Sequence, residues 1–249
     1  MHQINFSGIS GRTALGRLLR LPFRLIPTGM VVPVLQGKLR GSRWIVGSSN
    51  HGCWLGSYEF EKQQLFVEVV RPDDVVFDVG AHVGFYALLA SELVVPNGEV
   101  CAFEPDPRNL SYLRRHVRLN HCGNVRIFAM AVGRKKSVSS FEEGRDSSQG
   151  HLSMNGGSLF VPVVSLDDLL ADGKIPVPDC IKIDVEGAEL EVLKGARFLL
   201  QSDHPSIFLA THGRQLHERC CEFLVELGYS LRPVKGKNVD TTDEILAVG

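Results

Sequence analysis

The sequence predicts an α/β fold: a mostly parallel sheet with helices on both faces. Three observations carry that expectation. First, Val75-Val76-Phe77-Asp78-Val79-Gly80-Ala81-His82-Val83-Gly84 has the layout of a buried strand, a glycine-bounded turn and a helix N-terminus. Second, Val100-Cys101-Ala102-Phe103-Glu104 forms the next strand and ends on an acid. Glu104 follows Gly84 by about 20 residues, the spacing at which a strand-end acid meets a ribose hydroxyl pair in βαβ units. Third, strand–helix units repeat, and Asp78, Glu104 and Asp184 each end a strand. Ligands of such sheets sit at the carboxyl ends of the strands, so the fold gathers these acids at one rim.

The elements follow in order. No acid precedes Glu59, whereas Arg12, Arg17, Arg20, Arg24, Lys38, Arg40 and Arg43 all do. Within that stretch Ala14 to Ile26 carries Leu15, Leu18, Leu19, Phe23 and Ile26 at near-helical spacing, interrupted by Pro22. Such a basic amphipathic arm suits weak peripheral contact with an anionic membrane, or a helix packed on the domain with solvated arginines; the second is the commoner pattern. Gly37 to Gly56 reads as short strands and turns, with Trp44 and Trp54 as packing residues or as rim aromatics near a sugar or lipid. The division expected is an arm over 1–57 and a ligand-binding domain over 58–249.

Glu59 to Val70 is a predicted helix, stopped by Arg71-Pro72-Asp73-Asp74. Strand Val75–Val79, a helix bearing Phe85, Leu88, Leu89 and Leu93, and strand Glu99–Glu104 follow. Asp106 looks like an N-cap with Pro107 at the first helical position, and Gly123 closes that helix. Val125 to Val132 is the third strand. Ser137–Glu142 and Ser158–Val164 form a β-hairpin insertion around a Gly/Ser loop. After a short helix at Leu166–Leu170 come strand Cys180–Asp184, a helix bearing Leu190, Leu193, Ala196 and Leu200, and strand Ile207–Ala210. A helix near Gln215–Leu227 and strands near Tyr229–Arg232 and Glu244–Val248 complete the chain.

Composition narrows the class. The 249 residues suit one α/β domain with an N-terminal extension, and 44% hydrophobic with 22% charged residues is typical of a globular protein. A net charge of −1 gives no pull toward nucleic acid. The six cysteines make no Cys-x-x-Cys pair and are expected to be buried and reduced. No apolar run approaches the roughly 20 residues of a membrane span. No signal peptide is recognised, so the cytoplasm is the expected compartment.

The turn selects among nucleotides. A pyrophosphate site wants Gly-x-Gly-x-x-Gly, and here the middle glycine is missing. A ligand with a ribose and an amino-acid tail but no pyrophosphate suits Gly80 to Gly84 better, and S-adenosylmethionine is such a ligand. Gly80 can take a positive φ, and the free N–H groups of the helix end are expected to act as donors. Glu104 would accept from the two ribose hydroxyls.

The strings Asp78-Val79-Gly80-Ala81-His82-Val83-Gly84, Phe103-Glu104-Pro105-Asp106-Pro107, Ala131-Val132-Gly133 and Ile181-Lys182-Ile183-Asp184-Val185-Glu186-Gly187-Ala188-Glu189 resemble the FkbM-type S-adenosylmethionine-dependent methyltransferases. The resemblance covers about Tyr58 to His212. It implies a class I, Rossmann-like methyltransferase fold and O-methylation of sugars, glycans or secondary metabolites. Carried over, Gly80 and Gly84 would line the cofactor turn, Glu104 would bind the ribose and Asp184 would face the methyl group; Asp78, Ala81, His82 and Pro105 are further cofactor-binding candidates, and Gly84 also lets the helix lie close to its strand. The family usually has Asn at position 82, and a Glu before the His of its fifth strand; this chain has His82 and Ala210-Thr211-His212.

Lys182, Asp184 and Glu186 share one face of an extended strand. Buried parallel strands are apolar on both faces, so these charges need a reason. A Lys–acid ion pair accounts for Lys182; the rim position favours a site role for Asp184 and Glu186. Asp184 is the first candidate to orient or deprotonate an acceptor hydroxyl, and His212 is the alternative base. No metal site is expected, because Asp184 and Glu186 form no recognised ligand set with a nearby His. Three readings stand: an O-methyltransferase acting on a small molecule or glycan, a nicotinamide-dependent oxidoreductase, and a catalytically silent adaptor at a membrane surface.

Overall fold

The structure is a computed structural model that describes residues 4–5, 25–142, 151–153 and 159–249. The amphipathic stretch lies outside these residues as far as Arg24, as do 143–150 and 154–158 of the Gly/Ser loop.

Strands β1 (Val31–Pro33) and β2 (Arg43–Ile45) pair antiparallel, and helix α1 (His51–Leu55) follows. Asn50 caps α1, its side chain accepting from the Gly52 N–H. The sequence reading has only strands and turns here; five residues are too few to show a helical period. This segment packs into the core. Trp44 is fully buried, stacks on His116 with ring centroids 4.1 Å apart, and meets Phe85 edge-on at 6.0 Å. The Ile45 N–H donates to His116 Nε2 at 3.1 Å. Trp54 is buried as well, so both tryptophans are packing residues.

The chain continues through α2 (Phe60–Val69), β3 (Val75–Val79), α3 (Phe85–Leu93), β4 (Glu99–Phe103), α4 (Pro107–Leu119) and β5 (Val125–Phe128). Next come β6 (Ala131–Val132), β7 (Ser137–Glu142), β8 (His151–Ser153), β9 (Leu159–Val164) and α5 (Leu166–Ala171). The last part holds β10 (Cys180–Ile183), α6 (Glu189–Lys194), α7 (Arg197–Ser202), β11 (Ser206–Ala210), α8 (Arg214–Glu226), β12 (Ser230–Pro233) and β13 (Glu244–Val248).

The main sheet has the order β12-β13-β11-β10-β3-β4-β5. Only β13 runs against the rest. The chain leaves β3 toward β4 and β5, then returns to β10 on the other side of β3. The loops after β3 and β10 therefore diverge, and a crevice opens at the carboxyl ends. Strand side chains alternate between two cores. Val76, Ala102 and Phe208 face α2, α3 and α4; Phe77, Phe103, Ile181 and Ile207 face α5 to α8. Fully buried side chains of this size contribute roughly 1.5–3 kcal/mol each.

Four further expectations are corrected. The third strand stops at Phe128, and Ala131–Val132 leaves the main sheet to pair parallel with β9. The hairpin partners β7 and β9 pair antiparallel as expected, but β8 joins β7 and β6 joins β9, giving a four-stranded sheet. The single helix expected after Asp184 is two, α6 and α7, parted at Gly195 and Ala196. A Cβ at Gly195 would collide with the Gly133 carbonyl oxygen, so a close backbone crossing sets the break. Asp106 caps α4 as expected, accepting from the Asn109 N–H at 2.9 Å, although the helix ends at Leu119 with Asn120 as its C-cap and not at Gly123. All six cysteines are free. Among the described residues no helix is long and apolar enough to cross a membrane.

Candidate active site

Asp78, Glu104 and Asp184 line one cavity at the carboxyl ends of β3, β4 and β10, together with Gly80, Ala81, His82, Pro105, Lys182, Glu186 and His212. Gly84 is the exception among the predicted residues. It starts α3 at φ +96°, where a Cβ would collide with Leu113 Cδ1. Its role is close packing of α3 on α4.

The half of the cavity beside β4 is built from backbone. Gly80 turns at φ +77°, and a Cβ there would collide with the Asp184 carbonyl oxygen. The N–H groups of Gly80 and Ala81 both donate to the Phe103 carbonyl, at 3.0 and 2.9 Å. The His82 N–H donates to Glu104 Oε2 at 2.7 Å, and the Asp106 N–H to Glu104 Oε1 at 2.8 Å. These turn N–H groups are thus used within the protein, and the Gly84 N–H donates to the Ala81 carbonyl at 2.8 Å. What the turn offers instead is an oriented carboxylate. Glu104 is 5% exposed, and burial pushes its pKa up to about 7 against the pull of the two N–H groups.

His82 has a left-handed backbone, φ +50°. Asn, Asp and His are the non-glycine residues most enriched there, so His in place of Asn preserves the turn. Burial foremost pushes its imidazole down to about 4, and among the described residues Nε2 has no hydrogen-bond partner.

The other half is a network of charges. Lys182 Nζ lies 3.2 Å from Asp78 Oδ1 and 3.9 Å from Asp184 Oδ2, and donates to the Gly80 carbonyl at 3.2 Å. Burial disfavours the ammonium, but Asp78 and Asp184 outweigh it and raise its pKa. Burial likewise works against the Asp184 carboxylate, but Lys182, Lys62 and His212 outweigh it and lower its pKa. The ion pair expected for Lys182 is therefore present, and it reaches the site acid.

His212 lies beyond Asp184. Its Nε2 is 3.3 Å from Glu186 Oε2 and 3.9 Å from Asp184 Oδ1, and its Nδ1 is 2.8 Å from Glu189 Oε1. The hydrogen bond to Glu189 is the main reason its pKa rises to about 9. At neutral pH the ring carries its proton, so His212 is not poised as the base the sequence suggests. Nor are Asp184 and Glu186 without a nearby His, which corrects that expectation; strand β11 delivers it from 26 or more positions away in the chain.

Sequence reasoning passed over several groups that line the cavity or pair with residues lining it. Glu189 stands in the same charged string as Asp184, and its spacing from Glu186 was the available signal. Lys62 carried none: it sits within α2, yet it is 4% exposed and pairs with Glu59 at 2.6 Å and with Glu244. Tyr58, Tyr86 and Thr211 complete that wall.

The model of the methyltransferase FkbM domain matches residues 78–231. The chain belongs to the FkbM methyltransferase family. It is 34% identical over 140 residues to the hexuronic acid methyltransferase AglP of Haloferax volcanii, covering 56% of this chain and 56% of that protein. It is 31% identical over 170 residues to the 31-O-demethyl-FK506 methyltransferase FkbM of Streptomyces tacrolimicus, covering 55% of this chain and 64% of that protein. These matches span 56% and 64% of the two relatives' own length. Among solved structures, a methyltransferase FkbM from Methylobacillus flagellatus shares the fold, with a TM-score of 0.54, 18% identity, and coverage of 81% of this chain and 56% of that one.

Proposed function

We propose that this chain is an S-adenosylmethionine-dependent methyltransferase that modifies a hydroxyl of a sugar, glycan or related metabolite. One observation carries the reading. Glu104 is fixed from behind by two backbone N–H groups and lines the same cavity as Asp184. The carboxylate retains lone pairs for two ribose hydroxyls.

The residues present fit that cofactor. The rim is rich in acids, among them Asp78, Glu104, Asp184 and Glu186, which suits a ligand with a sulfonium and an ammonium charge. The N–H groups around Gly80 are already bonded, so a pyrophosphate would find few donors. That favours methyl transfer over the nicotinamide reading. The unpartnered His82 Nε2 adds a polar group for the ligand. The relatives' names, a hexuronic acid methyltransferase and a 31-O-demethyl-FK506 methyltransferase, support oxygen as the acceptor atom.

When bound, S-adenosylmethionine supplies an activated methyl on sulfur. The chain supplies position. Glu104 holds the ribose, and the Gly80 turn keeps the sugar close to the strand ends. Asp184, ionised, accepts from the acceptor hydroxyl and aims its oxygen; alignment of this kind lowers a barrier by roughly 7–11 kcal/mol in favourable cases. Lys182 keeps Asp184 ionised and in place. The two departures from the family pattern, His82 and Ala210, are what would favour the silent-adaptor reading. His82 preserves the turn, and His212 takes its carboxylate partner from Glu189.

Incubation with methyl-labelled S-adenosylmethionine and a panel of uronic acids, glycans and hydroxylated macrocycles tests this. The expected product gains one label on oxygen and is not formed by Asp184→Asn. Failure of the wild-type protein to bind S-adenosylhomocysteine at all would overturn the reading.

A further inference from the structure

We propose that Asp184, Glu186 and His212 form a site for a divalent cation, and that the ion binds the methyl acceptor through two neighbouring oxygens. The second clause rests on the function proposed above; the first does not.

The geometry carries the site. One ligand atom from each of the three residues lies within 4.8 Å of the other two. His212 Nε2 is 3.3 Å from Glu186 Oε2 and 3.9 Å from Asp184 Oδ1. Ligands about 2.1 Å from an octahedral ion are about 3 Å apart when adjacent and about 4 Å apart when opposite. The His212 imidazole thus stands at coordination separations from both carboxylates before any ion is added.

A second, independent feature fixes the imidazole. His212 Nδ1 donates to Glu189 Oε1 at 2.8 Å, and the Glu189 side chain is 0% exposed. The same oxygen accepts from the Gly187 N–H at 2.9 Å, so the carboxylate is itself anchored. A buried acid behind the imidazole sets its orientation and turns Nε2 toward the two carboxylates. That is the outer-shell arrangement that orients metal-bound histidines. The ion takes the place of the Nε2 proton.

Two carboxylates and one imidazole suit a hard or borderline ion such as Mg²⁺ or Mn²⁺. Three protein ligands leave about three octahedral positions free. Asp184, Glu186 and His212 all line the cavity, so those positions open into it. An acceptor with adjacent oxygens, a vicinal diol or a hydroxy acid, fills two of them. Chelation holds the reacting oxygen, and a bound cation lowers the pKa of a hydroxyl it touches.

The test is Mn²⁺ titration of the chelator-treated full chain, followed by the electron paramagnetic resonance of free Mn²⁺, with S-adenosylhomocysteine calorimetry in parallel. One saturable Mn²⁺ site is expected, weakened at least tenfold by Glu186→Gln and by His212→Ala. Glu189→Gln is expected to weaken it about 10–100-fold. Glu104→Gln is expected to leave the Mn²⁺ isotherm unchanged. No saturable Mn²⁺ binding, in a protein that binds S-adenosylhomocysteine, overturns the cation site and leaves methyl transfer standing. A Mn²⁺ site indifferent to Glu186→Gln and His212→Ala overturns its placement. Mn²⁺ binding without S-adenosylhomocysteine binding supports the cation site and counts against the proposed function.

Discussion

Glu104 and Asp184 both end parallel strands and line the same cavity, yet their surroundings differ. Glu104 is met by the N–H groups of His82 and Asp106, and burial lifts its pKa to about 7. Asp184 is met by Lys182 and His212, and its pKa falls. The first half is made of backbone dipoles and holds a carboxylate near its titration point. The second is made of full charges and holds a carboxylate firmly ionised. Backbone dipoles suit recognition of neutral hydroxyls, whereas the charged half can fix an acceptor or a cation.

The largest effect should come from breaking the charged half. Lys182→Met leaves Asp78 buried without its cation, which costs about 3–5 kcal/mol. Urea unfolding should show this loss, and Lys182→Met with Asp78→Asn should recover most of it. If the single substitution is neutral, the charged half is not held together as described. Glu104 lacks such a partner, so the corresponding loss is not expected on its side.

The difference between the halves also explains what the sequence disclosed. The β4 half is legible because backbone geometry leaves marks: Gly80 at a positive φ, an acid ending a strand, Asp106 and Pro107 opening a helix. The charged half is assembled from side chains of α2, β10, the loop before α6 and the end of β11. Lys62 and Glu244 lie far apart in sequence, and no local pattern announces that they meet. Gly84 shows the converse case. It stands in the string that marks the ligand turn, and its missing Cβ makes room for Leu113. The mostly parallel, helix-covered sheet followed from alternation, whereas the departure of β6 and the break at Gly195 depended on tertiary contacts.

Asp184→Asn separates the halves functionally. Methyl transfer should fall by about 10²-fold or more, since alignment of the acceptor is lost. Affinity for S-adenosylhomocysteine should be essentially unchanged by calorimetry. Equal losses in both would merge the two halves into one.

The pH profile sharpens the contrast. Protonated Glu104 is a poorer acceptor, so the ligand selects the ionised form and releases a proton. Affinity for S-adenosylhomocysteine should fall as the pH drops below about 7 and level off above it. From pH 8 to pH 6 the loss should be about tenfold. Glu104→Gln should flatten the profile, whereas Asp184→Asn should not. The smallest effect concerns packing alone. Gly84→Ala should cost about 1–2 kcal/mol through its left-handed backbone and the displaced Leu113, and should leave the pH profile intact.

The central claim is that Glu104 holds an adenosyl ribose at the rim it shares with Asp184. Calorimetric titration of wild type and Glu104→Ala with S-adenosylhomocysteine at pH 8 tests it most directly. The account predicts saturable binding that the substitution weakens by about 1.5–3 kcal/mol. Equal affinities in the two proteins would contradict it.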